Sequence, residues 1–347
     1  MRAPGFWANP PARPGLTARL LAPLALIWAW ATARRLARGP RVRAGVPVIC
    51  VGNLTVGGSG KTPTVIALVQ RLQARGIAVH ILSRGHGGSL RGPVRVEERR
   101  HGAAEVGDEP LLLAAFAPVW VGRDRALTAR AAVAAGAQAL VMDDGFQNAG
   151  LHQDIALVVV DAGFGFGNGR VLPAGPLREP VATGLGRADL VLAIGAGADR
   201  AALAAAWPAL GGLPMLAGEV RPLPTGMDWS GLRALAFAGI GRPEKFYASL
   251  RALGAELVAT RSFDDHAAYS PRLLARLAAE AGALGAQLVT TEKDAARLPP
   301  EFRGRVLVLP VRLEVADWQP FDRLLAPLLP PSPQPIAPSP GKVSSSQ

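Results

Sequence analysis

An apolar run, Val46-Pro47-Val48-Ile49-Cys50-Val51, passes without interruption into the glycine-rich stretch Gly52-Asn53-Leu54-Thr55-Val56-Gly57-Gly58-Ser59-Gly60-Lys61-Thr62-Pro63. The run reads as a buried strand. From Thr64 to Leu72 apolar and polar residues recur at helical spacing, and Gly76 marks a stop. Strand, glycine loop and helix in succession are the context of a phosphate-binding P-loop. Glycines let the backbone wrap a phosphate, and the amides opening the helix point at it. Residues Thr55, Val56, Gly57, Gly58, Ser59, Gly60, Lys61 and Thr62 are therefore the expected nucleotide contacts. Lys61 would reach the β- and γ-phosphates, and the Thr62 hydroxyl would serve Mg²⁺. Pro63 falls in the first turn, where its missing N–H costs little. Thr55 stands where the usual G-x-x-x-x-G-K-[ST] pattern has its first glycine.

With 347 residues the chain is long enough for two domains. It is 49% hydrophobic, and its mean hydropathy of +0.22 is too low for a multi-span membrane protein. The single Cys50 excludes an internal disulfide and a cysteine metal cluster. A net charge of +12 suits nucleic acid, anionic lipid or phosphorylated substrates alike, so the placement of the charge decides. No Asp or Glu precedes Glu97, while Arg2, Arg13, Arg19, Arg34, Arg35, Arg38, Arg41 and Arg43 crowd the start. Between Arg19 and Arg34 runs an uncharged segment, residues 20–33, holding Trp28 and Trp30. It is shorter than the roughly 20 residues that span a bilayer. Tryptophan favours the membrane interface and arginine the anionic headgroups. The segment reads as a helix lying in or dipping into the cytoplasmic leaflet. The competing readings are a signal peptide, disfavoured by a nucleotide site that needs cytosolic ATP, and a helix packed on the main domain. Nucleic acid is the weaker partner, because the basic residues gather beside the apolar run and only 5% of residues are aromatic.

Further strands alternate with helices, which predicts an α/β fold: a P-loop NTPase-like core with a mostly parallel sheet. The strand from Ile77 to Leu82 runs into Ser83-Arg84-Gly85-His86, a loop placed to line a ligand crevice. Gly107-Asp108-Glu109-Pro110 precedes an apolar helix from Leu111 to Ala117, and Asp108 by itself reads as a helix N-cap as readily as a functional carboxylate. The strand from Ala137 to Met142 ends in Asp143-Asp144-Gly145-Phe146-Gln147, an acidic pair in the position that brings carboxylate to nucleotide-bound Mg²⁺. A long loop, residues 163–179, closes on Arg178-Glu179. Arg123 and Arg178 are candidate phosphate holders. Composition shifts give a membrane-associated segment over 1–44, the P-loop core over 45–224, a smaller second α/β domain over 225–329 and a disordered tail over 330–347. From these features alone, an enzyme and a membrane-associated P-loop switch without an acceptor both remain open.

Taken together the motifs resemble the bacterial tetraacyldisaccharide 4'-kinase family, the lipid A kinases, from the Trp-rich start to about Asp294. The resemblance rests on the residues 53–63, Ser83-Arg84-Gly85, Gly107-Asp108-Glu109-Pro110, Asp143-Asp144-Gly145-Phe146-Gln147, Leu177-Arg178-Glu179-Pro180, Phe263-Asp264-Asp265-His266 and Thr291-Glu292-Lys293-Asp294. Thr55 is ordinary in that family; His86 is not, since tyrosine is more usual there. The resemblance implies transfer of the γ-phosphate of ATP, with Mg²⁺, to the 4'-hydroxyl of a tetraacyl disaccharide 1-phosphate, forming lipid IVA in lipid A biosynthesis. It implies a lipid substrate met at the cytoplasmic face of the inner membrane. It further implies that Asp108 is the catalytic base, assisted by His266 from the second domain, that Asp143, Asp144, Gln147 and Glu179 serve Mg²⁺ or its waters with Thr62, and that Ser83, Arg84, Arg123 and Arg178 hold substrate or phosphate.

Lys61→Ala should abolish turnover by removing a cation from developing phosphate charge, with folding little changed. Steady-state kinetics beside a thermal melt measure both, and a well-folded, fully active variant would contradict the nucleotide site.

Overall fold

The computed structural model describes residues 3–38, 41–265 and 267–329. The first part of the chain supplies strands β1 (Val48–Gly52), β2 (Val79–Ser83), β3 (Val94–Arg95), β4 (Val119–Val121), β5 (Ala139–Asp143), β6 (Ile155–Asp161), β7 (Leu190–Ile194) and β8 (Met215–Pro222). Strands β9 (Arg233–Ala238), β10 (Glu256–Ser262), β11 (Gln287–Thr291) and β12 (Val306–Leu309) form a separate parallel sheet in the order β10-β9-β11-β12. Strand β13 (Val311–Val315) then returns to the first sheet, whose order is β13-β8-β7-β6-β1-β5-β2-β4-β3. Only its two edge pairings, β13 on β8 and β3 on β4, are antiparallel. The α/β class and the mostly parallel sheet are as the alternating pattern predicts.

Strand β1 lies between β5 and β6 and is buried over all five residues. Successive side chains of a strand face opposite ways. Ile49 and Val51 enter one core together with Val65, Leu68 and Leu72 of the helix Lys61–Gln73. Val48 and Cys50 enter a second core, on the other face, with Leu140, Met142 and Phe146. Coverage of both faces explains why the run before the P-loop is apolar without alternation. The chain leaves β1 with β5 and β6 on opposite sides, which opens a crevice at the strand's carboxyl end.

Two differences from the sequence reading bear on organisation. Residues 311–329 do not complete the second domain. Leu313 of β13 pairs opposite Val220 of β8, and Phe321 and Leu325 are fully buried in the core that holds Ile49. Asp322 ties this return to the P-loop helix through Arg71 and, at 2.7 Å, to Arg75 just past the helix end. Second, the helix expected from Leu111 begins at Asp108 and runs to Ala114. Gly107, with φ 91°, turns the chain and supplies the N-cap, and no side chain caps the helix. Asp108 therefore occupies the first helical position and is not the cap.

The N-terminal apolar segment forms the helix Ala22–Leu36, 15 residues and about 22 Å long. Among the described residues no helix is long and apolar enough to cross a membrane. Leu21, Ala25 and Ala29 fall at helical spacing and pack on the second core. Other apolar side chains of the helix stay outside: Leu24 is 53% exposed, Leu26 73%, Ile27 61% and Trp30 63%. The helix is thus packed on the domain along one stripe and apolar toward solvent along another. The tail 330–347 lies outside the described residues.

Candidate active site

The P-loop takes its shape from its glycines and from Asn53. Gly60 has φ 92° and is the N-cap of the helix Lys61–Gln73. A side chain there would meet both a left-handed backbone and Ile194, whose Cδ1 would lie 2.5 Å from the added Cβ. Asn53 is fully buried and holds both arms of the loop: its Nδ2 donates to Ser59 Oγ at 2.9 Å, and its Oδ1 accepts from Lys61 Nζ at 3.3 Å. On the outer side, Val56 N donates to Pro176 O at 2.8 Å and Arg178 N to Leu54 O at 2.7 Å. The 163–179 loop is thereby laced to the P-loop as a short extra strand would be.

The acidic pair closes the crevice from β5. Asp143 is 2% exposed, and its Oδ1 has no hydrogen-bond partner among the described residues. Burial, with Glu109 and Asp144 nearby, raises its carboxyl to about 7 against the opposing pull of Lys61 and Arg125. Asp144 behaves oppositely. Burial would raise it too, but Lys61 and Arg178 outweigh that and hold it at about 2. Its backbone is left-handed, with φ 48°, which swings the carboxylate toward those cations. Arg178 grips it with two parallel bonds of 2.8 and 3.0 Å, and Lys61 Nζ lies 3.6 Å away. Two adjacent carboxylates of one sequence motif are thus shifted in opposite directions, because cations outweigh burial at Asp144 and burial outweighs cations at Asp143.

Behind Asp144 runs a fixed polar chain. Arg178 also donates to Gln147 Oε1 at 3.1 Å, and Gln147 Nε2 donates to Asn53 O and to Glu179 Oε1, both at 3.0 Å. Both oxygens of Glu179 accept from Arg187 Nη2 at 2.6 Å, while the Arg187 guanidinium lies 4.4 Å over the Phe146 ring. Glu179 is 2% exposed. The sequence reading sets it among the Mg²⁺ ligands. In the structure its oxygens accept from Arg187 and Gln147, so it fixes the amide that in turn orients Arg178. Arg178 likewise spends its fork on Asp144.

The second domain forms the far wall. Gly241, in the loop after β9, approaches the P-loop so closely that an added Cβ would stand 3.0 Å from Gly58 N. Asp161, at the end of β6, pairs with Arg242 at 3.0 Å and Lys245 at 2.7 Å across the same boundary. Asp108 is 5% exposed and faces Arg297 of the second domain, Nε to Oδ2 3.8 Å.

The structure therefore gathers Lys61, Asp143, Asp144, Gln147, Arg178 and Glu179 into one network at the P-loop. Ser83, buried at the end of β2, accepts through its carbonyl from Gly122 N at 3.1 Å. Arg84 and Arg123 are exposed at the ends of β2 and β4, beside that network and outside it. Thr62 is half-buried at the start of the P-loop helix. His266 lies outside the described residues. Sequence reasoning missed Asn53, Arg125 and Arg187 as members of the site. Arg125 is 5% exposed and donates to Gly122 O at 2.7 Å and Asp143 O at 3.4 Å; burial, first of all, lowers its guanidinium to about 10. Its signal is Asp124, an N-cap whose carboxylate accepts from Ala126 N and Leu127 N and so fixes Arg125 in the first turn.

The Tetraacyldisaccharide-1-P 4'-kinase family model matches residues 17–329. The chain belongs to that family. It is similar to the tetraacyldisaccharide 4'-kinase of Dinoroseobacter shibae, 64% identical over 318 residues that cover 91% of this chain and 94% of the relative. The corresponding kinase of a Jannaschia species is 58% identical, covering 93% and 97%. Among solved structures it is similar to the Aquifex aeolicus LpxK crystallised in complex with ATP, with a TM-score of 0.71, 25% identity and coverage of 90% of this chain and 100% of that one. The match extends through residues 311–329, so the return of the chain to its first sheet lies within the 4'-kinase region.

Arg187→Met should destabilise the fold by about 3–5 kcal/mol, because it leaves the buried Glu179 charge unpaired. Glu179→Met in the same protein should recover most of that loss. Urea unfolding of the two variants checks it; a Glu179→Met/Arg187→Met protein as unstable as the single variant would show that Glu179 is not held mainly by this pair.

Proposed function

We propose that this protein transfers the γ-phosphate of ATP to the 4'-hydroxyl of a tetraacyl disaccharide 1-phosphate at a membrane surface. The observation that carries the reading is a P-loop together with a buried Asp108 in the same domain, at its boundary with Arg297 of the second domain, in a chain of this family. The relative crystallised with ATP supports the nucleotide. Phosphoryl transfer asks little covalent chemistry of a protein; it asks for position and for cations where charge develops. Asp108 would accept the proton of the 4'-hydroxyl as its oxygen bonds to the γ-phosphorus and the bond to the β-phosphate oxygen breaks, releasing ADP. Lys61, with Arg125 behind Asp143, supplies positive charge on the phosphate side. His266 would orient Asp108 and tune its proton affinity. Its chain neighbour Asp265 lies 3.2 Å from Lys293, which lies 3.2 Å from Glu109, so the loop leading to His266 is held to the Asp108 side of the crevice.

The residues present fit Mg²⁺. Asp143 offers a buried oxygen without a hydrogen-bond partner among the described residues, next to the helix that presents Thr62. Mg²⁺ is commonly held by one or two protein groups together with phosphates and water. When bound, Mg²⁺ would neutralise charge on the β- and γ-phosphate oxygens. Asp144, clamped by Arg178, and Glu179, which fixes Gln147, would act on its water shell.

The exposed apolar side of the helix Ala22–Leu36 would seat on the cytoplasmic face of the inner membrane, its arginines at the headgroups. This segment is fastened to the active-site side of the molecule: Trp28 Nε1 donates to Arg178 O at 3.2 Å, and Trp7 Nε1 to Pro173 O at 3.3 Å. A substrate lipid drawn from the bilayer would thus enter beside the loop that carries Arg178.

Product analysis with labelled ATP and detergent-dispersed disaccharide 1-phosphate tests the activity; label confined to inorganic phosphate would favour an acceptor-free ATPase. Asp108→Ala and His266→Ala should each lower turnover on the order of 10²–10⁴-fold, with the double variant little worse than the poorer single and ATP affinity retained. Strictly multiplicative losses would overturn the coupled pair. Removal of residues 1–38 should leave a folded, ATP-binding protein that no longer floats with anionic vesicles; equal flotation would overturn the membrane face.

A further inference from the structure

The motif Thr291-Glu292-Lys293-Asp294 opens the helix Glu292–Arg297 of the second domain, and its placement reaches the other domain. Lys293 and Arg297 stand four residues apart, on one side of the helix. Opposite them are the first two residues of the helix Asp108–Ala114, and each cation meets one carboxylate. Lys293 Nζ lies 3.2 Å from Glu109 Oε1, and Arg297 Nε 3.8 Å from Asp108 Oδ2. Lys293 is also 3.2 Å from Asp265 Oδ1.

We propose that Lys293 is a positioning residue that pins the Asp108-Glu109 turn of one domain to Asp265 of the other, so that the second domain meets the base Asp108 in register. The inference rests on the reading of Asp108 and His266 as the catalytic pair. Arg297 provides the fixed reference for this pin. It is anchored inside its own domain by Asp294, by Gly239 O at 2.8 Å and by the Tyr269 ring at 5.4 Å. Asp294 is fully buried and accepts from Gly239 N at 3.0 Å and Tyr269 Oη at 2.7 Å, so the arginine does not shift without disturbing the sheet. Lys293 joins carboxylates of two different turns, Asp265 of its own domain and Glu109 of the other. Burial would depress its ammonium, but Glu109, Asp265 and Asp108 outweigh that and raise it, so the bridge stays charged. One point charge shared by two turns fixes their separation. An error of the order of 1 Å at reacting groups costs about 10²-fold in rate.

The test uses the full-length kinase with ATP and detergent-dispersed disaccharide 1-phosphate. Lys293→Met, which keeps the stem and removes the charge, should lower kcat on the order of 10²-fold while the dissociation constant for ATP stays within about twofold. Lys293→Arg should restore part of the loss. In a His266→Ala background the same Lys293→Met change should cost almost nothing further, because the register it sets no longer matters. A merely structural lysine would instead lower thermal stability and ATP affinity together, and would do so equally in both backgrounds; that result overturns the pin. So does a Lys293→Met enzyme with normal kcat. An Asp108→Asn enzyme of normal activity would sink the catalytic reading itself, separately from the pin.

Discussion

Burial of β1 on both faces is the constraint on which the rest of the molecule depends. A strand covered on two sides has nowhere polar to go until it ends, so the first polar groups after it emerge together at the sheet's carboxyl edge. Those groups are Asn53 and the P-loop. Because β5 and β6 flank β1, their own ends deliver Asp143, Asp144 and Asp161 to the same edge. Catalytic geometry in this protein is therefore a by-product of sheet order: three parallel neighbours, three chain ends, one crevice.

The crevice concentrates charge in a place short of water, and the arrangement handles this by pairing most groups and sparing a few. Glu179 is neutralised by Arg187, and Asp144 by Arg178 with Lys61 near. Asp161 is met by Arg242 and Lys245 from the second domain. Asp143 is the exception, with an oxygen that no described donor reaches. In a buried network an unmet acceptor is costly. The chain of bonds from Arg187 through Glu179 and Gln147 to Arg178 leaves little freedom around that position. Arg187, at one end of that chain, thus helps to aim Arg178 at the other.

Two domains meet over this edge through backbone as well as charge. Gly241 lies against Gly58, and no larger residue fits there without displacing the P-loop amide. The C-terminal return across β8 stitches the second domain to the first at both of its ends, since the chain leaves after β8 and comes back beside it. That two-point attachment keeps the Lys293 and Arg297 side facing Asp108 and Glu109.

Much of this was legible in the chain alone. An unbroken apolar run before a glycine loop, and an acidic pair after another such run, determined a P-loop core and its parallel sheet, because burial period and backbone freedom are local properties. The N-terminal apolar segment with its arginines was legible for the same reason, although which side packs was not. What the sequence could not assign was ownership. Glu179 and Arg178 sit in a motif that invites a metal or phosphate role, yet Arg187 and Asp144 take their charges. Arg125 and Lys293 look like surface cations until the fold buries them against carboxylates more than 15 residues away. Residues 311–329 carry no mark of the sheet they rejoin, since an amphipathic strand pairs equally well with any free edge. Local pattern determined which elements form; only tertiary packing, which sets distance and dielectric between remote side chains, decided which charges are paired, which are spared, and where the second domain bears on Asp108.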